Sequence, residues 1–481
     1  MLNISKKTKI VATIGPASNT LEKVRELIDA GMNVMRINFS HGTYETHKII
    51  IDISKQLIKE HIYIPTMLDT AGPEIRCHFF ENGKVEIIKD SIVTIHMKEI
   101  LGTATEFSVN YPKLVDDIHV GDMIKIDDGK LRLDVIEICK QKRVIKVKAF
   151  NTHVISNRKG VNIPGERMTL PALSDRDRKD IKFGVENGID LIAASFTRRA
   201  EDVIQLKEYL KELGAPDIPI IAKIENKQGV DNINEILEVA DGIMVARGDM
   251  GVDIPPEEVP VMQSDIILEC RKIGKPVIVA TQMLDSMQSN PLPTRAEVSD
   301  VATAIKEGAD AVMLSAETAS GQYPVESAAM QQRIAITMEQ FLPYTQLANF
   351  GYNYSKKKRS DAIATSVAST ANLIDAKAIV CFSETGKSAI RISKSRPKCP
   401  IVMVTSDPAA GMRVAPYFGI FSIVVKTLPQ LIEDMEAFAL IKMRQLGLKP
   451  NDNVIITGGT PTGTGSTNFL RIVAVNELGD I

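Results

Sequence analysis

At 481 residues the chain is too long for one ordinary domain, so two or three are expected. Its 44% hydrophobic and 25% charged content is that of a soluble globular protein, and a formal net charge of −2 argues against general affinity for nucleic acid or an anionic membrane. Five cysteines (Cys77, Cys139, Cys270, Cys381 and Cys399) form no CxxC pair and no metal-ligand spacing, an odd set that suits a reducing cytosol better than a disulfide framework. No signal-peptide core follows Met1 and no apolar run approaches membrane-spanning length, so a cytoplasmic location is expected.

Short apolar runs alternate with helical patterns, the signature of βα units and a parallel sheet. Lys9–Ile14, Val34–Phe39 and Pro65–Asp69 come first. A stretch of different rhythm, 73–170, follows. It is β-rich, with Val85–Ile88, Ile92–Ile95, Met123–Ile126, Leu131–Ile138 and Val144–Val147 punctuated by turns such as Asp127-Asp128-Gly129. The apolar runs then resume with Leu191–Phe196, Pro219–Glu225, Gly242–Ala246, Pro276–Thr281 and Ala311–Ser315. Eight βα units predict a closed (β/α)8 TIM barrel in two parts, 1–72 and 171–345. The insertion reads as a small β-barrel lid domain riding on a βα loop. The basic run Lys356-Lys357-Lys358-Arg359 reads as a solvated linker. Beyond it, 355–481 reads as a C-terminal open α/β domain with strands Ala378–Phe382, Pro400–Val404, Ile420–Val425 and Asn453–Ile456.

The ends of the barrel runs concentrate polar residues. Lys223 and Glu225 stand two apart, so a strand sends both to one side, and burying such charges without a task is costly. Asp249 ends the next run. One lysine and two carboxylates at neighbouring strand ends suit magnesium-assisted chemistry on an anionic substrate, though a structural ion pair fits the same spacing. The other ends supply Arg36, Asn38 and Ser40; Asp69 and Thr70; Ser195; Arg247; Thr281 and Gln282; Ser315 and Glu317.

Eight segments in register resemble the pyruvate kinase family over essentially the whole chain. They begin at Lys9 (KIVATIGP), Met35 (MRINFSHG), Leu68 (LDTAGPEIR), Lys159 (KGVNIPG), Ala222 (AKIEN), Ala246 (ARGDMG), Ala280 (ATQML) and Met313 (MLSAET). The resemblance implies transfer of the phosphoryl group of phosphoenolpyruvate to ADP. It casts Lys223 and Arg36 as phosphoryl contacts and Arg76 as a second phosphate ligand. Glu225 and Asp249 become ligands of Mg²⁺, for which Mn²⁺ can substitute. The substrate carboxylate fits backbone N–H groups near Gly248 and Asp249 with the Thr281 hydroxyl. ADP would meet Arg36, His41 and Lys159. Thr281 and Ser315 would hold the water that relays a proton to enolpyruvate, with Glu317 nearby; the proton donor itself stays open.

Asn38, Ser40, Asp69 and Thr70 alone read as strand-end hydrogen bonding, and in the resembling enzymes they form a K⁺ site. Glu74 matches the potassium-requiring members. Ala71, Ala316 and Ser320 depart from some relatives without touching the charge constellation. In the third domain Ser383, Thr385, Gly386, Lys387 and Ser388 form a loop between strand and helix, suited to phosphate. Cys381 occupies a required P-loop glycine position, so an NTPase reading fails. The resemblance implies an allosteric phosphometabolite there, with a second loop, 458–467, closing over it, and a homotetramer. A barrel lyase acting on a pyruvate-like enolate and a catalytically silent sensor are the alternatives; neither needs the lid's Lys159 together with an intact Lys223, Glu225 and Asp249.

Overall fold

The computed structural model describes residues 4–165, 170–356, 358–460 and 467–475. Each of the eight apolar runs forms one strand: β1 (Lys9–Thr13), β2 (Val34–Asn38), β3 (Thr66–Asp69), β4 (Leu191–Ala194), β5 (Ile220–Ile224), β6 (Gly242–Ala246), β7 (Val277–Ala280) and β8 (Ala311–Leu314). All pair in parallel and β1 bonds both β2 and β8, so the sheet closes. The strands read as continuous apolar runs because helices cover their outer face while side chains fill the interior. Val11, Val34, Met67, Leu191, Ile221, Met244 and Ile278 form that inner layer. Helix starts between strands are set locally, with capping boxes at Thr43, Ser174 and Thr294.

The insertion wraps one hydrophobic core of its own. Its six-stranded sheet contains Ile92–His96, Met123–Ile126, Leu131–Cys139 and Val144–Ala149, with Glu106–Ser108 and Val161–Asn162 at the edges. Lys84–Ile87 and His153–Ser156 form a separate antiparallel ribbon. The two edge strands are too short to show a period and His153–Ser156 buries only Ile155, so none of the three is legible in the sequence. The unit leans on the barrel: the Lys125 ammonium donates to the Val252 carbonyl.

The third domain has four parallel strands, Ile420–Val424, Ile401–Thr405, Ala378–Phe382 and Asn453–Gly459 in spatial order. An antiparallel edge strand, Thr467–Ala474, completes the sheet. That edge strand was also not expected, since its two faces are only partly buried and show no clean alternation.

This domain plugs the N-terminal floor of the barrel. Lys9, at the foot of β1, is almost wholly buried. Its ammonium donates to the Ile420 carbonyl at 2.5 Å and lies 3.4 Å from the Phe421 ring centroid. Burial, then the charge of Lys6, pulls its pKa well down. Beside it Asp310 accepts from Phe418 N at 3.0 Å, from Val277 N at 3.1 Å and from Arg396 Nη2 at 2.9 Å. Asp310→Ala would leave the Arg396 guanidinium buried without its counter-charge. We expect a loss of about 3–5 kcal/mol, seen in calorimetry as earlier unfolding; an unchanged melting profile would contradict this role.

Candidate active site

Side chains of a strand alternate, so two residues beyond each inner apolar position the chain again faces the barrel axis. From Val11, Val34, Met67, Ala193 and Ile221 that step lands on Thr13, Arg36, Asp69, Ser195 and Lys223. One more step along β5 reaches Glu225. The polar layer at the C-terminal mouth is therefore the continuation of the apolar interior.

Asp69 is the hub. Its Oδ2 accepts from Arg36 Nε at 2.6 Å, and its Oδ1 accepts from Lys223 Nζ at 2.9 Å and from the Ser195 hydroxyl at 3.1 Å. Arg36 Nη1 also donates to Thr13 Oγ1 at 2.9 Å. Lys223 Nζ reaches Ser195 Oγ at 2.7 Å and Glu225 Oε1 at 3.0 Å. Burial disfavours the Asp69 carboxylate, but Arg36 and then Lys223 more than offset it, so its pKa is lowered. Burial likewise opposes the Lys223 ammonium, yet Asp69 and Glu225 raise its pKa above the ordinary lysine value. Both groups stay charged at neutral pH.

Glu225 and Asp249 behave differently. Burial pushes Glu225 up to about 7; Lys223 pulls against this and Asp249 adds to it. Burial also raises Asp249, against Lys223 and with help from Asp128 of the insertion. Glu225 Oε2 accepts from Phe196 N, whereas the Asp249 carboxylate meets no hydrogen-bond donor among the described residues. Two crowded carboxylates, one of them unpartnered, are a donor set that fits a hard divalent cation retaining several waters. Among the described residues there is no group of three or more His, Cys, Asp or Glu side chains placed to hold a metal ion.

The K⁺ candidates gather beside the hub. Asn38 and Asp69 are register partners on β2 and β3. Asn38 Oδ1 accepts from Ser40 N at 3.1 Å, and the Thr70 carbonyl accepts from Ser195 Oγ at 2.6 Å. Amide, hydroxyl, carbonyl and a single carboxylate make an all-oxygen set of low net charge.

Thr281 has φ of +67° and Gln282 +55°, a left-handed pair unusual for side-chain-bearing residues and typical of functional turns. The Thr281 hydroxyl accepts from Gly248 N at 2.8 Å and donates to the Ala280 carbonyl at 2.7 Å. That Gly248 N–H is thus engaged by protein here. The Ser315 hydroxyl is buried without a partner among the described residues, while Glu317 accepts from Ser315 N at 2.7 Å. Of the two hydroxyls, only that of Ser315 is uncommitted.

On the side facing the insertion, burial lowers the His41 pKa, followed by Arg76, Arg36 and Arg176. Arg76 holds Glu74 through Nε at 2.9 Å and the Arg158 carbonyl at 2.8 Å. Lys159 pairs with Asp127 at 2.7 Å. Arg76 is near enough to His41 to lower its pKa, while Arg76 and Lys159 make these contacts within the insertion.

Far from this mouth, Gly386 (φ +79°) caps the helix Lys387–Lys394 and Ser388 Oγ meets Thr467 Oγ1 at 2.5 Å. The Ser383–Ser388 loop and the end of the second loop are thus adjacent; 461–466 of that loop lie outside the described residues. Glu384 accepts from Ser406 Oγ at 2.7 Å.

Four contributors received no role from the sequence. Ser195 bridges Lys223, Asp69 and the Thr70 carbonyl; Thr13 supports Arg36; Arg176 adds a cation near His41. Arg247 braces the Thr281 turn, donating to the Thr281 carbonyl at 2.8 Å and pairing with Asp300 at 2.6 Å. Ser195, Arg247 and Thr13 stand at strand ends, which was the available signal; Arg176 carried none.

The model of the family described as pyruvate kinase, barrel domain, matches residues 5–328, and that of pyruvate kinase, alpha/beta domain, matches 361–473. A pyruvate kinase of Geobacillus stearothermophilus is 48% identical over 99% of this chain and 81% of its own length. One of Bacillus licheniformis is 47% identical over 98% and 81%. The crystal structure of a pyruvate kinase from Cryptosporidium parvum superposes with a TM-score of 0.91 at 35% identity, covering 98% of this chain and 96% of that one.

Proposed function

The chain belongs to the pyruvate kinase family, and from that premise we propose that the Asp69-centred ring transfers the phosphoryl group of phosphoenolpyruvate to ADP. The observation that carries this reading is one buried carboxylate holding Arg36 and Lys223 next to two further carboxylates. Phosphoryl transfer asks the protein for position and positive charge rather than covalent chemistry.

The bond between phosphorus and the enol oxygen breaks as one to the terminal ADP oxygen forms. Arg36 and Lys223 hold the equatorial oxygens, and Asp69 and Ser195 keep the Lys223 ammonium charged and aimed. Arg76 grips the donor phosphate from the insertion, whose closure, in its lid role, excludes water. His41 and Lys159 meet the nucleotide. Glu225 and Asp249 would hold Mg²⁺ or Mn²⁺, which neutralises charge on the phosphoryl oxygens. The Thr281 turn and the backbone near Gly248 and Asp249 receive the substrate carboxylate once the Thr281–Gly248 bond exchanges for it. Enolpyruvate then takes a proton at carbon. The uncommitted Ser315 hydroxyl favours this residue over Thr281 as holder of the relaying water.

Asn38, Ser40, Asp69 and Thr70 would hold K⁺. The lid spans 73–170, between the barrel segments 1–72 and 171–345, and the regulatory domain 355–481. Ser383, Thr385, Gly386, Lys387 and Ser388 would bind a phosphorylated effector, and the enzyme would work as a cytoplasmic homotetramer. Among the described residues no helix is long and apolar enough to cross a membrane.

Lys223→Met should lower turnover by roughly two to three orders of magnitude while Mn²⁺ binding, followed by electron paramagnetic resonance, persists. Glu225→Gln should weaken that binding more than about tenfold; equal loss of metal in both variants would return the pair to a structural role. Pyruvate formation should require K⁺, and equal rates in K⁺ and in a tetramethylammonium buffer would exclude the monovalent site. Thr385→Ala with Ser388→Ala should abolish activation by sugar phosphates and AMP without changing the basal rate; intact activation would remove the effector assignment.

A further inference from the structure

A cavity of about 190 Å³ opens where the third domain meets the outside of the barrel, remote from the mouth. Its walls come from the end of the barrel helix Val259–Ile273, the linker, and the helices Arg359–Leu373 and Lys387–Lys394. Lys356, Lys358, Arg391 and Lys394 face it, against a single carboxylate, Asp361. That carboxylate is already occupied, pairing with Arg391 Nε at 3.2 Å and accepting from Lys356 N at 2.9 Å. Among the described residues Lys394 Nζ donates only to the Tyr354 carbonyl, at 2.6 Å.

The positive charge continues inward. An adjoining space shares Gly274, Ile390 and Lys394 with the first and is lined further by Arg271, Lys275 and Arg396, with Asp310 as its one carboxylate, already paired with Arg396 at 2.9 Å. Arg396 is 4% exposed, and its Nε and Nη1 have no partner among the described residues; nor have Nε and Nη2 of Arg271. Asp361 and Asp310 offset only part of this positive charge, an added anion would offset more, and buried guanidinium donors left unbonded are costly. Gly274 makes the room. Its φ is +77° and an added Cβ would come within 3.1 Å of Lys394 Cδ.

We propose that this cavity is a second anion site, taking a compact phosphate monoester. Arg391, Lys394 and the linker lysines hold the phosphoryl oxygens, and the hydroxyls of Ser355 and Thr365 on the same wall receive the carbon-bound hydroxyls. The volume admits a phosphoryl group on a short carbon skeleton and is small for a nucleotide. The site is separate from the Ser383–Ser388 loop: the helix Lys387–Lys394 begins at that loop and offers this cavity its opposite end. An occupant here would tie barrel, linker and third domain together.

The test is lysine acetylation of the full chain, mapped by peptide mass spectrometry, with glycerol 3-phosphate as the probe and sodium sulfate at matched ionic strength as the control. Glycerol 3-phosphate should slow modification of Lys356 and Lys358 at least fivefold, leaving exposed Lys98 and Lys211 unchanged. Protection should vanish in Arg391→Gln, and in the milder Thr365→Val it should weaken should the first variant fold poorly. It should persist in Thr385→Ala/Ser388→Ala. Absence of protection, equal protection by sulfate, or its loss in the loop double variant would overturn the proposal.

Discussion

Everything at the barrel mouth depends on one buried carboxylate. Asp69 has no exposed surface, and alone in such a place it would be expelled or protonated. Two cations and a hydroxyl prevent that, and in turn Asp69 prevents the cations from relaxing apart. Arg36 comes from β2, Lys223 from β5 and Ser195 from just beyond β4. The three meet because β2, β3, β4 and β5 are consecutive neighbours in the sheet and its register sets their strand ends level. Contacts between residues 33 and 154 positions apart in sequence are thus the product of strand order and register in the parallel sheet.

The same strands carry consequences to the opposite end. β1 starts at Lys9, sealed under the Ile420 carbonyl and the Phe421 ring, and ends at Thr13, which supports Arg36. Five residues of wholly buried strand therefore join the docking surface of the third domain to the Arg36 guanidinium. The insertion closes the opposite face, with Asp128 near enough to Asp249 to raise its pKa. The barrel is held between two units, one at its floor and one at its mouth.

How much of this was legible varies with the physics of each part. The eight strands were visible because parallel strands buried on both faces must be apolar throughout, and polar residues cluster at or just beyond the ends of most of the runs. Lys223, Glu225, Asp69 and Arg36 stood out as charges where charge is expensive. Ser195 and Thr13 did not, because a hydroxyl at a strand end is common and its value here lies in which partners it meets. The edge strand Thr467–Ala474 was hidden because partial burial on both sides erases alternation. The uncommitted state of the Ser315 hydroxyl and the occupation of Thr281 were likewise beyond sequence, since both depend on hydrogen bonds made across neighbouring strands.

Sequence alone determined the family, the βα alternation, the place of the insertion and which charged residues end which strands. Those properties are local: apolar runs, spacing of two and turn chemistry are written in consecutive residues. Tertiary structure decided which of the charges neutralise one another, which carboxylate is left without a donor, and where linker, barrel helix and third domain enclose a basic cavity. Those properties are non-local, because pairing energy and desolvation depend on distances between strands and helices that only closure and docking establish.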